Sequence, residues 1–171
     1  MQTVLADLIK RDKEKLVDRA ATSLKVMFGV AYADMAQEDL EERLYAFFDA
    51  VEDIARRGVL EVDLLEDVAE SVMVSPIYQG WNSEAITEEV LRVIDFTLSK
   101  QIDTDLSKPE QAEDKAAAME LLGRVIRASK DVVNGRGRGE MEKKLEKRRK
   151  KERGGDSELR EASLANEAGI D

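Results

Sequence analysis

Apolar residues recur at helical spacing along most of this chain, and that pattern constrains its fold more than any other feature. Two basic residues, Arg56 and Arg57, suit a helix C-terminus, and Gly58 after them can adopt the left-handed conformation that closes a helix. No stretch alternates with the period of two that marks a β-strand. The sequence therefore predicts an all-α protein. Its clearest helical face comprises Leu40, Leu44, Phe47, Phe48, Val51, Ile54 and Ala55.

Four further helices are expected from the same spacing, together with their ends. Asp12 and Lys13 interrupt the apolar face of the first helix, so its first turns are expected either to project from the bundle or to bend. Pro76 is expected to end the third helix, because the residue before a proline avoids the helical region. Ser83 is expected to cap the fourth helix, and a capping box beginning at Ser107 opens the fifth. These helices should span about residues 3–28, 61–74, 84–102 and 108–133. The face of the first comprises Val4, Leu5, Leu8, Ile9, Leu16, Val17, Ala20, Leu24, Met27 and Phe28.

The composition changes sharply after Asn134. Residues 136–153, here called the basic arm, hold ten basic and four acidic side chains, a net charge of +6. The chain as a whole has a net charge of −10, so residues 1–135 carry −12 and residues 154–171 carry −4. Glu–Lys pairs four residues apart favour a basic helix over residues 140–153. We therefore predict a single bundle or globin-like domain of about five helices over residues 1–134 and a flexible charged tail over residues 135–171.

The chain contains no cysteine and no histidine. Their absence excludes disulfides, thiolate nucleophiles, imidazole bases, phosphorelay histidines and every haem or metal site that needs either residue. The lysines have no evident cause for a lowered pKa, and no glycine-rich phosphate loop follows a strand. We therefore predict a protein that is not an enzyme and that needs neither a cofactor nor a metal.

The N-terminal residues do not resemble a signal peptide, because the basic residues follow the apolar stretch instead of preceding it. No segment approaches the roughly 20 apolar residues that a membrane-spanning helix requires. The sequence therefore predicts a cytoplasmic protein without a membrane span.

Four aromatic residues are candidates for contact with a ligand or a protein partner. Tyr78 and Trp81 flank a glycine in the expected loop between the third and fourth helices, where aromatics can line a pocket or anchor a partner. The simpler explanation is packing, since large aromatic side chains are mostly buried. The full candidate set is Tyr45, Phe48, Tyr78 and Trp81.

Two charged groups are further candidates. An acidic stripe on the third helix could hold a cation or contact a basic partner, although a solvated helix face explains it more simply. The basic arm could bind phosphates of nucleic acid or another polyanion, although it lacks the aromatics that stack on bases. It could equally be a solubilising tail or fold back on the acidic body. The stripe comprises Asp63, Glu66, Asp67 and Glu70, and the arm centres on Lys143, Lys144, Lys147, Arg148, Arg149, Lys150 and Lys151.

The order of these segments resembles a known family. An acidic start at residues 37–44 leads into the helix that ends at Arg56, Arg57 and Gly58, and residues 77–86 then lead into a Glu-Val-Leu-Arg-Val-Ile stretch. This order, over residues 4–102, is similar to the N-terminal helical domains of RsbR-type stressosome co-antagonists. The resemblance implies a bundle-like or globin-like sensor domain without haem. Family members usually continue into an anti-sigma-antagonist or kinase domain, whereas a charged tail follows here.

Taken together, these features predict a regulatory or sensory adaptor that acts by protein–protein contact, with a homodimer expected from its long amphipathic helices. Binding of nucleic acid or another polyanion by residues 136–153 is the alternative.

Overall fold

The structure, a computed structural model, describes residues 2–134 except for the side chain of Tyr78. A single 3₁₀ turn at Pro109–Gln111 precedes the last of its helices, and the described residues contain no β-strand. The prediction of an all-α fold with five helices is confirmed. The helices are α1 (Thr3–Met27), α2 (Gln37–Arg57), α3 (Val62–Tyr78), α4 (Ser83–Asp105) and α5 (Ala112–Asn134).

Successive helices run up and down the bundle. The backbone N–H of Gln2, just before α1, donates to the carbonyl of Ala55 near the end of α2 at 2.7 Å. At the opposite end, the hydroxyl of Ser83 at the start of α4 donates to the side-chain oxygen of Asn134 at the end of α5, at 3.0 Å. α1 packs on α2 and α4, while α5 packs on α3 and α4. Short connections between antiparallel neighbours are typical of helical bundles.

The core is built from the apolar faces that the sequence predicts. Every residue of the predicted face of α2 is at most 1 % exposed. Phe47 and Phe48 pack edge to face, with ring centroids 6.2 Å apart and an interplanar angle of 71°. Full burial of such a side chain contributes about 1.5–3 kcal/mol. α2 therefore forms one wall of a continuous core to which all five helices contribute.

α1 bends at Asp12, which is one of the two outcomes expected from the interruption of its apolar face. Asp12 has φ −107° and ψ 15°, outside the helical region, within an otherwise continuous helix. Leu5 and Ile9 before the bend remain fully buried, so the first turns stay packed on the bundle. The side-chain oxygen of Gln2 caps the helix by accepting hydrogen bonds from the N–H groups of Val4 and Leu5, at 3.0 and 3.2 Å. Gly58 closes α2 in the predicted left-handed conformation, with φ 73°.

The predicted end of α3 is wrong. The helix continues through Pro76 to Tyr78, so the expected loop over residues 75–83 shrinks to residues 79–82. Proline lacks the N–H that would bond the carbonyl four residues earlier, which belongs to Val72. The buried hydroxyl of Tyr32 donates to this carbonyl instead, at 3.0 Å. A tertiary hydrogen bond thus replaces the missing helical one, and the helix does not need to stop.

Two predicted caps also differ from the structure. Asn82, one residue before Ser83, caps α4 by accepting from the N–H of Ala85 at 2.9 Å. The hydroxyl of Ser83 instead donates to the side-chain oxygen of Asn134. The expected capping box at Ser107 is shifted by one residue, because the side chain of Gln111 accepts from the N–H of Lys108 at 3.1 Å and opens the 3₁₀ turn.

No helix within residues 2–134 is both long enough and apolar enough to cross a membrane. The predicted tail, its basic helix over residues 140–153 and the candidate polyanion-binding residues lie outside the described residues. Those candidates are Lys143, Lys144, Lys147, Arg148, Arg149, Lys150 and Lys151.

Candidate functional site

One end of the bundle combines several features of a contact surface. It is formed by the last turns of α1, α3 and α5, the first turns of α2 and α4, the α1–α2 loop (residues 28–36) and the α3–α4 loop (residues 79–82). Ser75 and Gln79 both donate to the carbonyl of Ala31 at 3.0 Å, which ties the α1–α2 loop to the end of α3. The chain leaves the described part of the bundle here, after Asn134, so we call this region the exit end.

Side chains from α1 and α2 fix the exit end further. The ammonium of Lys25 donates to the carbonyls of Tyr32, at 3.2 Å, and Met35. Arg43 donates to both the carbonyl and the hydroxyl of Ser71 at 2.9 Å. Burial raises the pKa of Tyr32, so its phenol stays protonated and keeps donating its hydrogen bond at all ordinary pH values. The loop backbone is therefore held by specific polar contacts.

Large apolar side chains stand exposed on this framework. Val26 is 77 % exposed, Met27 59 %, Val30 72 % and Trp81 40 %. Single exposed apolar residues are normal on protein surfaces, but several at one end of a domain are typical of an interaction site. Val74, one turn before the end of α3, is also exposed, and further from this end exposed large apolar side chains occur among the described residues at Val59, Val62 and Phe96.

The same end is acidic. Residues 28–42 contain five acidic side chains and no basic one. Asp34, Glu38, Asp39 and Glu42 are exposed, and none forms an ion pair with another described residue. The dipole of α2 favours acids in its first turn and accounts for Glu38 and Asp39 in part. Their charges nevertheless remain available to a basic group from outside the described bundle.

The predicted aromatic candidates do not share one pocket. Phe48 is fully buried in the core and cannot touch a ligand in this conformation. Tyr45 is half-buried in an open groove between α1 and α2, where it lies with Glu14 and Glu41. Trp81 is at the exit end, and the backbone of Tyr78 is in the last turn of α3. Of the three candidates whose side chains are described, only Trp81 therefore lies on the surface that combines exposed apolar and acidic groups.

The acidic stripe on α3 is divided by burial. Asp63 and Asp67 are exposed and Glu70 is half-buried, whereas Glu66 is only 9 % exposed. One carboxylate oxygen of Glu66 is buried without a hydrogen-bond partner among the described residues. Within residues 2–134, no three acidic side chains are placed so that they could hold a metal ion. The stripe is therefore a partly solvated helix face and does not form an oxygen cage.

The grooves of the bundle are open and shallow. The one between α1 and α4 has a volume of about 340 Å³ and is lined by Arg19, Phe96 and Lys100, among others. A smaller one of about 170 Å³ lies between the start of α1, the end of α2 and α5. Ligand pockets in proteins usually have about 300–1,000 Å³ and enclose most of the ligand. The α1–α4 groove reaches the lower end of this range in volume but is open to solvent, which favours a surface contact over an enclosed small-molecule site.

An ion-pair network between α1 and α2 contains ionisable groups with perturbed pKa values. Lys13, just after the bend, contacts Asp49 and also Glu52, the latter at 2.6 Å. Burial alone would raise the pKa of Glu52, but hydrogen bonds from Lys13 and Arg56 outweigh burial, and its pKa lies below the ordinary value. The network joins two helices, so the shifted pKa values of its members are explained by helix packing.

No family model, curated protein or solved structure matches this chain. The fold and the exit end define a five-helix, up-and-down bundle with one apolar and acidic end. The similarity to RsbR-type sensor domains stays a prediction.

The exposed apolar side chains at the exit end do not follow from the sequence pattern. Val26 and Val30 carry no signal that makes them candidate residues, and the helical spacing places Met27 on the buried face of the first helix. One usable signal was present, because Pro76 leaves the carbonyl of Val72 without its helical donor. That pattern predicts a compensating donor from elsewhere in the fold, which the structure identifies as Tyr32.

Proposed function

We propose that this protein is a non-enzymatic regulatory or sensory adaptor that acts by binding another protein through its exit end. The observation that carries the proposal is the group of exposed apolar side chains, including Val30 and Trp81, on a loop framework fixed by hydrogen bonds. Tryptophan is among the residues that most often dominate binding energy at interfaces. A fixed framework lowers the entropy lost on binding.

The chemistry of the exit end suggests the partner's chemistry. A segment that combines apolar anchors with basic side chains would bury the exposed valines and Trp81 while meeting Asp34, Glu38 and Asp39. Similarity to RsbR-type domains supports a sensory role in the cytoplasm. Homodimerisation belongs to the same proposal; because the apolar faces of the helices are buried in the core, two copies would meet through exposed apolar side chains.

Matched substitutions in the full chain test this proposal. Val30→Ser and Trp81→Ser remove apolar surface at the exit end, while Val59→Ser and Phe96→Ser remove comparable exposed surface elsewhere. Proteins retained from a cell lysate by each tagged variant are quantified by mass spectrometry, and light scattering gives the oligomeric state. We expect a specific partner to be lost only with the first two variants. If all four variants retain the partner equally, the exit end is excluded as the binding surface.

A different result would contradict the non-enzymatic part of the proposal. Turnover by the purified protein, abolished by a substitution in one of the grooves, would identify an enzyme.

The basic arm supports a second candidate function, the binding of nucleic acid or another polyanion. Ten basic side chains within residues 136–153 can neutralise several phosphates, and such binding weakens steeply with salt. Replacing Lys147, Arg148 and Arg149 with glutamine should lower affinity for a DNA duplex and reduce the salt dependence. Arg160→Gln, outside the arm, is the control. Affinity that is independent of salt, or unchanged in the triple variant, would remove this candidate.

A further inference from the structure

We infer that the basic arm of this same chain docks on the exit end and covers Trp81 in the free protein. The inference rests on the proposed use of the exit end as a contact surface and names the group that occupies it before a partner arrives. Three observations carry it: where the arm begins, the charge of the surface beside it, and the apolar groups on both sides.

The arm begins at the surface it would cover. Ser83, two residues after Trp81, is hydrogen-bonded to Asn134, and the arm starts at Arg136. Its first large apolar residue, Met141, follows Asn134 by seven residues, which span at most about 25 Å when extended. Three glycines within residues 135–139 place few steric limits on the direction that the arm takes. The tether is therefore long enough to reach the exit end and too short to favour distant surfaces.

The charges are complementary. Residues 28–42 carry five negative charges without a basic neighbour in that segment, and the arm carries a net charge of +6. The basic side chains that flank this loop in sequence are already engaged, since Lys25 and Arg43 bond backbone carbonyls. Asp34, Glu38 and Asp39 form no ion pair with another described residue, and the arm, which starts two residues after Asn134 at the same end of the bundle, can supply the positive charge.

The apolar groups also match. Met141 and Leu145 are the only large apolar residues of the arm, and their spacing of four would put them on one face of the helix that the sequence predicts there. The surface that would receive them exposes Val30 and Trp81. Docking would remove both sets from water while the lysines around them meet the acidic loop. A purely solubilising arm needs no such apolar pair.

The docking is expected within one chain. A tether of a few residues gives an effective concentration of about millimolar, far above the protein concentration of ordinary experiments. A polyanion that binds the arm would then expose the exit end. A partner that competes for the exit end would in turn free the arm. Arm docking would thereby couple the two candidate functions.

Trp81 is the only tryptophan and reports directly on the contact. In purified full-length protein at low salt, we expect its fluorescence emission at shorter wavelength and its quenching by acrylamide to be weak. Raising the salt to 1 M shortens the Debye length to about 3 Å and should release the arm. The emission should then shift to longer wavelength and quenching should increase. In Met141→Ser/Leu145→Ser, we expect the long-wavelength emission at every salt concentration.

The acidic side of the contact has a matched control. Glu38→Gln/Asp39→Asn removes two acids from the first turn of α2 at the exit end, whereas Glu113→Gln/Asp114→Asn removes two from the first turn of α5. Each pair changes the charge and the helix-dipole interaction equally. Only the first should move Trp81 emission to longer wavelength at low salt.

A spin label tests proximity directly, and the lack of native cysteines makes a single site simple to create. A nitroxide on Glu142→Cys should broaden the NMR signal of the Trp81 indole N–H at low salt, and the signal should recover at high salt. Broadening in a mixture of labelled and isotope-enriched chains would show docking between copies and overturn docking within one chain.

Identical Trp81 emission in the unmodified protein and all variants, unaffected by salt, would overturn the inference itself. So would an equal salt response in Met141→Ser/Leu145→Ser. These measurements use the purified protein alone, so they fail independently of the partner-retention experiment that tests the proposed function.

Discussion

The hydrogen bond from Tyr32 to the carbonyl of Val72 should matter because Pro76 lies four residues further along α3. Tyr32→Phe leaves this buried carbonyl without a donor, and an unsatisfied buried group costs about 1–3 kcal/mol. In a Pro76→Ala background, the new N–H of residue 76 can donate to the same carbonyl. There Tyr32→Phe should cost only the net value of one hydrogen bond, about 0.5–1.5 kcal/mol.

The assay is a double-mutant cycle measured by urea unfolding of the full chain. We expect a coupling free energy of about 1 kcal/mol between Tyr32 and Pro76, within the range of about 0.5–3 kcal/mol seen for residues that share a partner. The cycle cancels the effect of Pro76→Ala on the unfolded chain. For a protein of this size, 1 kcal/mol corresponds to about 2–4 °C in Tm.

Tyr45→Phe is the matched control, because it makes the same chemical change at a half-buried tyrosine whose hydroxyl has no hydrogen-bond partner among the described residues. It should change stability by less than about 0.5 kcal/mol. If the stability effects of Tyr32→Phe and Pro76→Ala add to within about 0.3 kcal/mol, the Tyr32 hydroxyl does not replace the helical hydrogen bond that Pro76 removes.

Three further predictions concern stability, each measured by urea or thermal unfolding. Gly58→Ala should lower the free energy of unfolding by about 1–2 kcal/mol because φ is 73°, whereas Gly123→Ala within α5 should raise it by about 0.5–1 kcal/mol. Phe48→Ala should cost about 3–5 kcal/mol as a core residue, and Trp81→Ala much less. The unmodified protein should be more stable than Glu52→Gln at pH 7. This difference should disappear as the pH falls below about 4.5, because folding lowers the pKa of Glu52.

The helices could be predicted because the forces that define them act within a few residues. The apolar face of α2 and the closing Gly58 follow from spacing and backbone preference alone, and the structure confirms both. The end of α3 could not be predicted in this way. The local preference at Pro76 is overridden by a donor from Tyr32, 44 residues earlier in the sequence. Such a contact becomes visible only once the packing of the helices is known.

The candidate surface was less predictable than the fold. Phe48 and Trp81 look equivalent as aromatic residues, yet one is in the core and the other is 40 % exposed. Met27 continues the apolar spacing of α1, but it is the last residue of the helix and is 59 % exposed. Periodicity gives the side of a helix that faces inward, whereas exposure near a helix end depends on where the neighbouring loops lie.

The polar contacts at the exit end connect its stability to its use as a contact surface. Ala31 accepts two side-chain hydrogen bonds, and Tyr32 both donates one and accepts one through its carbonyl. These bonds hold the backbone from which Val30 projects, so its apolar side chain is presented without an additional cost of ordering the loop. If Tyr32→Phe loosens this loop, it should also weaken any contact made there. The same substitution should leave the α1–α4 groove unchanged, because residues such as Arg19 and Lys100 line it from continuous helices. Hydrogen exchange of the full chain distinguishes the two regions, and equal acceleration in both would indicate global destabilisation instead of loosening at the exit end.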